Sequence, residues 1–209
     1  MVQDGAKVLG NNKDGIDFSL KDSYYGNASF HIPFIAWYQV MNASLALTAM
    51  EVLKDEIPVT MEQLQAGIRN TRWQGRMETI LPGVIVDGAH NEDGVRRFVE
   101  TAERFQKEYP LTLLFSAVND KDYQDMIHTI CSRIKFRKVV TTEVGGYREV
   151  PSAELAEIFC KEGCKDVGNS DNIEEAFHMA HEAKGEDGML FCVGSLYLVG
   201  EIKTLLLKK

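Results

Sequence analysis

No stretch of this sequence approaches the run of about 18 apolar residues that a membrane-spanning helix needs. No membrane partner is therefore expected. The first residues, MVQDGAKVLGNNKDG, lack the apolar core of a signal peptide, so a cytoplasmic location is expected. Positive charge is the minority sign: 23 Lys and Arg stand against 31 Asp and Glu, for a net charge of -8. A dedicated nucleic-acid binder would show a basic stripe, so no nucleic-acid partner is expected. The acid excess does not exclude a phosphate ligand, for which one well-placed Arg or helix N-terminus suffices. Cysteine is scarce. Cys160 and Cys164 are spaced C-x3-C with no His pair nearby, and all four cysteines, with Cys131 and Cys192, read as free thiols in a reducing compartment. The motifs GxxxxGK[ST], GxGxxG after a strand, GxSxG and HExxH are all missing. His178 and His181 lie three apart but lack a third ligand, so no metal site is expected.

What remains is an ordinary globular composition, 44% hydrophobic and 26% charged, in 209 residues, enough for one large domain or two small ones. The two ends have different rhythms. Residues 1–30 are rich in Gly, Asn, Asp and Ser, with alternations such as Ile16, Phe18 and Leu20, and predict turns and antiparallel strands. Leu45, Ala49, Val52 and Leu53 predict a helix over about 41–54. A second helix starts at Thr60, where Gln63 completes a capping box, and ends near Asn70.

After the turn Arg72-Trp73-Gln74-Gly75 the pattern changes. Strands at 77–80 and 84–86 flank a hairpin turn at Leu81-Pro82-Gly83. Helical stripes and strands then alternate. Strands are expected at 111–115, 138–141, 165–167 and 189–193, with helices between them and a last helix carrying Leu196, Val199, Ile202 and Leu206. Ser152 is expected to cap one of these helices, and Trp37 and Trp73 to be packing residues. The alternation predicts β-α-β units in a mostly parallel, doubly wound, Rossmann-like α/β sheet. The expected domains are 1–74 and 75–209.

Ligands of such sheets bind outside the carboxyl ends of the strands. The first strand there runs into Asp87-Gly88-Ala89-His90-Asn91, the next into Ser116 through Asp122, the third into Thr142 through Arg148, and the last into Gly194-Ser195. Asp87 can accept from hydroxyls, and His90 can donate to a phosphate or carboxylate. Against this stands an ordinary Asp-Gly turn with Asn91 as helix cap. Arg76 suits bidentate phosphate contact, and Lys121 can neutralise an anion, although each also reads as a surface charge. Ser195 either caps the last helix or offers its N–H and hydroxyl to a carboxylate.

The ordered set Gly75-Arg76-Met77-Glu78, Val86-Asp87-Gly88-Ala89-His90-Asn91, Asn119-Asp120-Lys121-Asp122 and Gly194-Ser195-Leu196-Tyr197-Leu198-Val199-Gly200-Glu201 resembles the C-terminal portion of folylpolyglutamate synthases, in the Mur ligase superfamily. Asn42-Ala43-Ser44-Leu45-Ala46-Leu47 resembles the helix that closes the family's central ATPase domain. The resemblance implies an ATP-dependent ligase that phosphorylates a terminal carboxylate and joins the acyl group to the amine of L-glutamate, with folate as acceptor. It implies ATP and Mg²⁺ as cofactors. It casts Asn42 at the adenine, Arg76 at the ATP phosphates, Asp87 at the ribose, and His90 near the phosphate and the incoming glutamate. Lys121 and Ser195 are cast at the glutamate carboxylates, with Arg148 in a loop where the family often has Arg; His90 and Lys121 would be catalytic.

The phosphate loop, the Mg²⁺ ligands and the modified lysine of the central domain are expected upstream of residue 1. The chain is accordingly expected to be a C-terminal fragment, inactive alone. Residues 1–70 are expected to be partly mobile, to pack on the C-terminal domain, or to mediate a dimer. The competing readings are a dihydrofolate synthase or another amino-acid ligase of the superfamily, and a non-catalytic nucleotide- or amino-acid-binding module.

Overall fold

The alternating apolar residues near the start of the chain pair as three antiparallel strands, β1 (Ala6–Asn12), β2 (Gly15–Leu20) and β3 (Ser29–Ile32), in the order β1-β2-β3. The computed structural model describes residues 5–12, 14–21, 24–26, 28–146 and 148–207. Within them the chain divides into two units, Met1–Trp73 and Gln74–Lys209.

In the first unit the period of two puts Ile16, Phe18 and Leu20 on one face, where they meet Phe30 and Ile32. The Phe18 and Phe30 ring centroids are 5.7 Å apart. Helix α1 (Trp37–Val52) lays Val40, Ala43 and Leu47 on this cluster. The Tyr25 hydroxyl donates to the Leu47 carbonyl at 2.8 Å. α1 begins four residues earlier than the apolar spacing predicts, because Ala36 precedes it with no side-chain cap to mark the start. Helix α2 (Met61–Asn70) has the predicted capping box: Thr60 Oγ1 accepts from the Gln63 N–H, and Gln63 Oε1 accepts from the Thr60 N–H. Trp73 is 55% exposed and is not a packing residue, whereas Trp37 packs against the first unit's core.

The second unit opens with the hairpin of β4 (Glu78–Leu81) and β5 (Val84–Asp87), turning at Pro82-Gly83, with Gly83 at φ 70°. Then come α3 (Glu92–Phe105), β6 (Leu111–Phe115), α4 (Tyr123–Arg133), β7 (Phe136–Thr141), α5 (Ser152–Lys161), β8 (Val167–Asn169), α6 (Ile173–Lys184), β9 (Met189–Val193) and α7 (Leu196–Leu207). The strand order is β4-β5-β9-β6-β7-β8, with only the β4–β5 pair antiparallel. This is the mostly parallel, doubly wound α/β sheet that the alternation predicts.

Every residue of β5, β6 and β9 is buried, as both faces of a parallel sheet require. On one face Phe191 packs on Phe98 and Phe105 of α3, and Phe115 on Phe159 of α5. On the other, Val84, Val86, Leu114, Val140, Leu190 and Cys192 pack against α6 and α7. Ser152 differs from expectation. It is the first helical residue of α5, Pro151 holds the cap position, and the Ser152 hydroxyl donates to Asp171 while the Thr141 hydroxyl donates to the Ser152 carbonyl.

Candidate functional site

The chain crosses the sheet from β5 to β8 with α3 to α5 on one face, then returns through α6 on the other and inserts β9 between β5 and β6. Strand order therefore reverses at β9. The ends are level there, with Asp87 and Phe115 both in register with Val193. A reversal of this kind opens a crevice at the carboxyl edge. Arg76, Asp87, His90, Lys121, Arg148 and Ser195 all come from segments at this edge. Asn42 belongs to the first unit. It is exposed on α1, with Nδ2 donating to Gln39 Oε1 at 2.9 Å. Tyr147, in the loop after β7, lies outside the described residues.

Asp87 organises the β5 end. It is 3% exposed, its Oδ2 accepts from the Met77 N–H at 2.9 Å, and its Oδ1 accepts from the Ala89 N–H at 2.8 Å. Burial raises its pKa from 3.8 to about 6. The two amide donors oppose that rise, followed by the charges of Arg76 and His90. The bond to Met77 spans ten residues of sequence and closes the turn on which Arg76 sits. Met77 takes φ 45°, a left-handed conformation that a side chain disfavours, and it is held there with 1% exposure. The Gly88 N–H donates to the Gly75 carbonyl at 2.7 Å. The Gly75 N–H donates to Glu78 Oε2, and Lys203 Nζ of α7 donates to both Glu78 oxygens. The segment 75–78 is thus tied to β5 and α7, which fixes where Arg76 leaves the backbone.

His90 Nδ1 lies 2.7 Å from the Gly88 carbonyl. A carbonyl only accepts, so Nδ1 carries the proton, and Nε2 is the free acceptor in the neutral ring. Asn91 caps α3 through Oδ1, which accepts from the Gly94 N–H at 2.9 Å. The ordinary reading of that one residue, as the cap of α3, therefore holds.

The loops after β6 and β7 are joined by a bridge between Val118 and Glu149 and by the Asn119 N–H donating to the Arg148 carbonyl at 2.7 Å. Arg148 then reaches two further segments: Nη1 pairs with Asp120 Oδ2 and Nη2 donates to the Tyr197 hydroxyl, each at 3.2 Å. Lys121 is half-buried and forms no ion pair among the described residues. Ser195 is 2% exposed and caps α7, its Oγ accepting from the Tyr197 N–H at 3.1 Å.

Three residues near this edge, Ser116, Asp120 and Tyr197, carry no mark of their own in the sequence. Ser116 Oγ, at the end of β6, is buried without a hydrogen-bond partner. Asp120 and Tyr197 hold Arg148, and both lie inside the motifs already quoted. Gly194 lets the backbone approach closely: a Cβ there would stand 2.1 Å from the Ser116 carbonyl oxygen, at φ 109°. Among the described residues, no group of three or more His, Cys, Asp or Glu side chains could hold a metal ion, and no helix is long and apolar enough to cross a membrane.

An open, mostly parallel sheet with a strand reversal and helix N-termini at its carboxyl edge defines an α/β domain of the doubly wound class. The particular family follows from comparison. Residues 75–196 match the model of the Mur ligase glutamate ligase domain, and the chain belongs to that family. It is 29% identical over 197 residues to a dihydrofolate synthase/folylpolyglutamate synthase of Bacillus subtilis, covering 90% of this chain and 44% of that protein. It is 26% identical to a folylpolyglutamate synthase of Lacticaseibacillus casei, covering 92% of this chain and 44% of that one. In fold it resembles a folylpolyglutamate synthase of Mycobacterium tuberculosis complexed with ADP and AMPPCP, with a TM-score of 0.76 at 23% identity over 97% of this chain and 48% of that one. The chain thus spans about half the length of the relatives it matches.

Proposed function

We propose that residues 75–209 are the glutamate-ligase domain of an ATP-dependent amide ligase of the folylpolyglutamate synthase type. Residues 1–74 are the C-terminal part of its central ATP-binding domain. The observation that carries this reading is the gathering of Arg76, His90, Lys121 and Arg148 at the edge where strand order reverses, on segments matched to relatives of this activity.

The reaction class explains why such an edge is useful. A carboxylate is a poor electrophile until one oxygen becomes a leaving group. Transfer of the γ-phosphoryl of ATP to that oxygen gives an acyl phosphate and ADP. The amine of L-glutamate then attacks the acyl carbon, a C–N bond forms, and the C–O bond to phosphate breaks. Arg76, fixed by the closed 75–78 turn, contacts the ATP phosphates. Asp87 acts first as a positioning residue for Arg76, and its remaining lone pairs face the ribose. His90, with Nδ1 held by Gly88, presents Nε2 to the proton leaving the glutamate amine. Lys121, Arg148 and Ser195 receive the glutamate carboxylates. The cations Arg76, Lys121 and Arg148 at this edge support ATP as its ligand. Among the described residues Mg²⁺ finds no ligand group of three or more His, Cys, Asp or Glu side chains, and none of the residue roles above depends on it.

We place the protein in the cytoplasm, where its four free thiols are compatible with a reducing environment. Leu45 and Val52, 60% and 78% exposed on α1, support a further packing surface on residues 1–70, a second copy of the chain included.

The test is a ligation assay by mass spectrometry on the complete gene product, with a reduced folate, ATP, Mg²⁺ and L-glutamate. The expected result is a folate extended by glutamate, with one phosphate released per addition, and no product from the 209-residue chain alone. Product from the 209-residue chain, or extension by another amino acid in preference to glutamate, overturns the proposal. Nucleotide binding by the complete protein without any turnover would favour the non-catalytic module.

A further inference from the structure

On the sheet edge opposite the candidate site, two thiols from separate elements meet. α4 starts beside the carboxyl end of β6 and α5 beyond that of β7, so both helices end at the amino edge. Cys131, in the last turn of α4, and Cys164, in the connection from α5 to β8, place their sulfurs 3.6 Å apart. They are 33 positions apart in sequence. Both are partly exposed, so solvent reaches the pair. A second contact holds the same two segments together. His128, one turn before Cys131 on α4, has Nδ1 2.9 Å from Glu162 Oε2. Between Glu162 and Cys164 lies Gly163 at φ 93°, with open space where a Cβ would stand, so this connection can take up the small shift that bonding the sulfurs requires.

We propose that Cys131 and Cys164 form a reactive dithiol, a modification site that closes to an intramolecular disulfide by exchange with a low-molecular-weight disulfide. Cys164 is the attacking sulfur. The hydrogen bond from the Cys131 thiol holds it below its ordinary value, against the opposing effects of burial and Glu162, whereas Cys131 is raised by the same contact. The Cys164 thiolate attacks one sulfur of the small disulfide and expels one thiolate, leaving a mixed disulfide. Cys131 gives up its proton and attacks Cys164 Sγ, expelling the second thiolate. The protein loses two hydrogens and two electrons, and the small disulfide becomes two thiols. Cys192 takes no part, being fully buried with its thiol pushed up by burial. Cys160 is exposed on α5, and the sulfur that Cys131 meets is that of Cys164. The inference does not rest on the ligase reading, and either can fail alone.

The test treats the 209-residue chain with oxidised glutathione, blocks free thiols by alkylation, and maps the peptides by mass spectrometry. The expected result is loss of two hydrogens, a Cys131–Cys164 cross-linked peptide and reversal by dithiothreitol. Cys160→Ser is expected to behave in the same way. Cys131→Ser is expected to trap one glutathione on Cys164 that is not released intramolecularly. Closing a loop of this length is expected to raise Tm by on the order of 5 °C or more. Full alkylation of both Cys131 and Cys164 after oxidation, or a Cys160–Cys164 cross-link as the main product, overturns the proposal.

Discussion

Replacing Asp87 by Asn tests the closed turn at the β5 end through its pH dependence. Asp87 has a folded pKa of about 6 against 3.8 in the absence of burial. The folded state therefore binds this proton more tightly than the unfolded chain does. The contribution of Asp87 to stability is largest below about pH 4 and is lost as pH rises through about 6, the opposite of a salt-bridged carboxylate. The distance between the two values corresponds to about 3 kcal/mol in full, most of which falls between pH 4 and pH 7. Asn has the same shape and no proton to titrate. It cannot accept from both the Met77 and Ala89 amides, because one of its polar atoms is an NH₂, so it loses a constant amount on the order of 1–3 kcal/mol. The measurement is urea unfolding by far-UV circular dichroism on both proteins across that pH range. The wild type should lose about 2 kcal/mol relative to Asp87→Asn as pH rises from 4 to 7. A difference that is flat, or that grows in favour of the wild type with rising pH, refutes the account of this carboxyl.

Gly194→Ala would force a Cβ to 2.1 Å from the Ser116 carbonyl at φ 109°. A loss of about 3 kcal/mol or more in the same unfolding assay is expected, and a loss below about 1 kcal/mol contradicts the close approach of β9 to β6. Asn91→Ala removes the side-chain acceptor for the Gly94 N–H and is expected to cost about 1 kcal/mol, seen as faster amide exchange in the first turn of α3. Arg148→Ala should disconnect the loops after β6 and β7 from Tyr197, raising exchange at Asn119 while leaving the β5 end unchanged.

The second unit's sheet was readable because its strands are apolar runs of strand length and its helices carry marked faces. Val95, Phe98, Val99, Ala102 and Phe105 of α3 are all buried, as their spacing predicts. Where the boundary signal was missing, so was the boundary: Ala36 provides no cap, and α1 starts earlier than its apolar face suggests. Ser152 misleads for the reverse reason. It is a good capping residue, but Pro151 precedes it and its hydroxyl is drawn to Asp171, between β8 and α6. The strand order is a long-range property. Nothing local to Met189–Val193 says that it inserts between β5 and β6, and that insertion is what turns separate polar loops into one edge. The ten-residue reach from Asp87 to Met77, and the meeting of Cys131 with Cys164 across 33 positions, likewise depend on tertiary contacts with no periodic trace in the sequence.

The most direct measurement on the central proposal is calorimetric titration of the 209-residue chain with L-glutamate, alongside D-glutamate and L-glutamine. The account predicts saturable binding of L-glutamate at one site per chain, weakened at least tenfold by Lys121→Ala in a protein whose circular dichroism is unchanged. The absence of any heat with L-glutamate from a folded chain, or equal binding of L-glutamine, would contradict it.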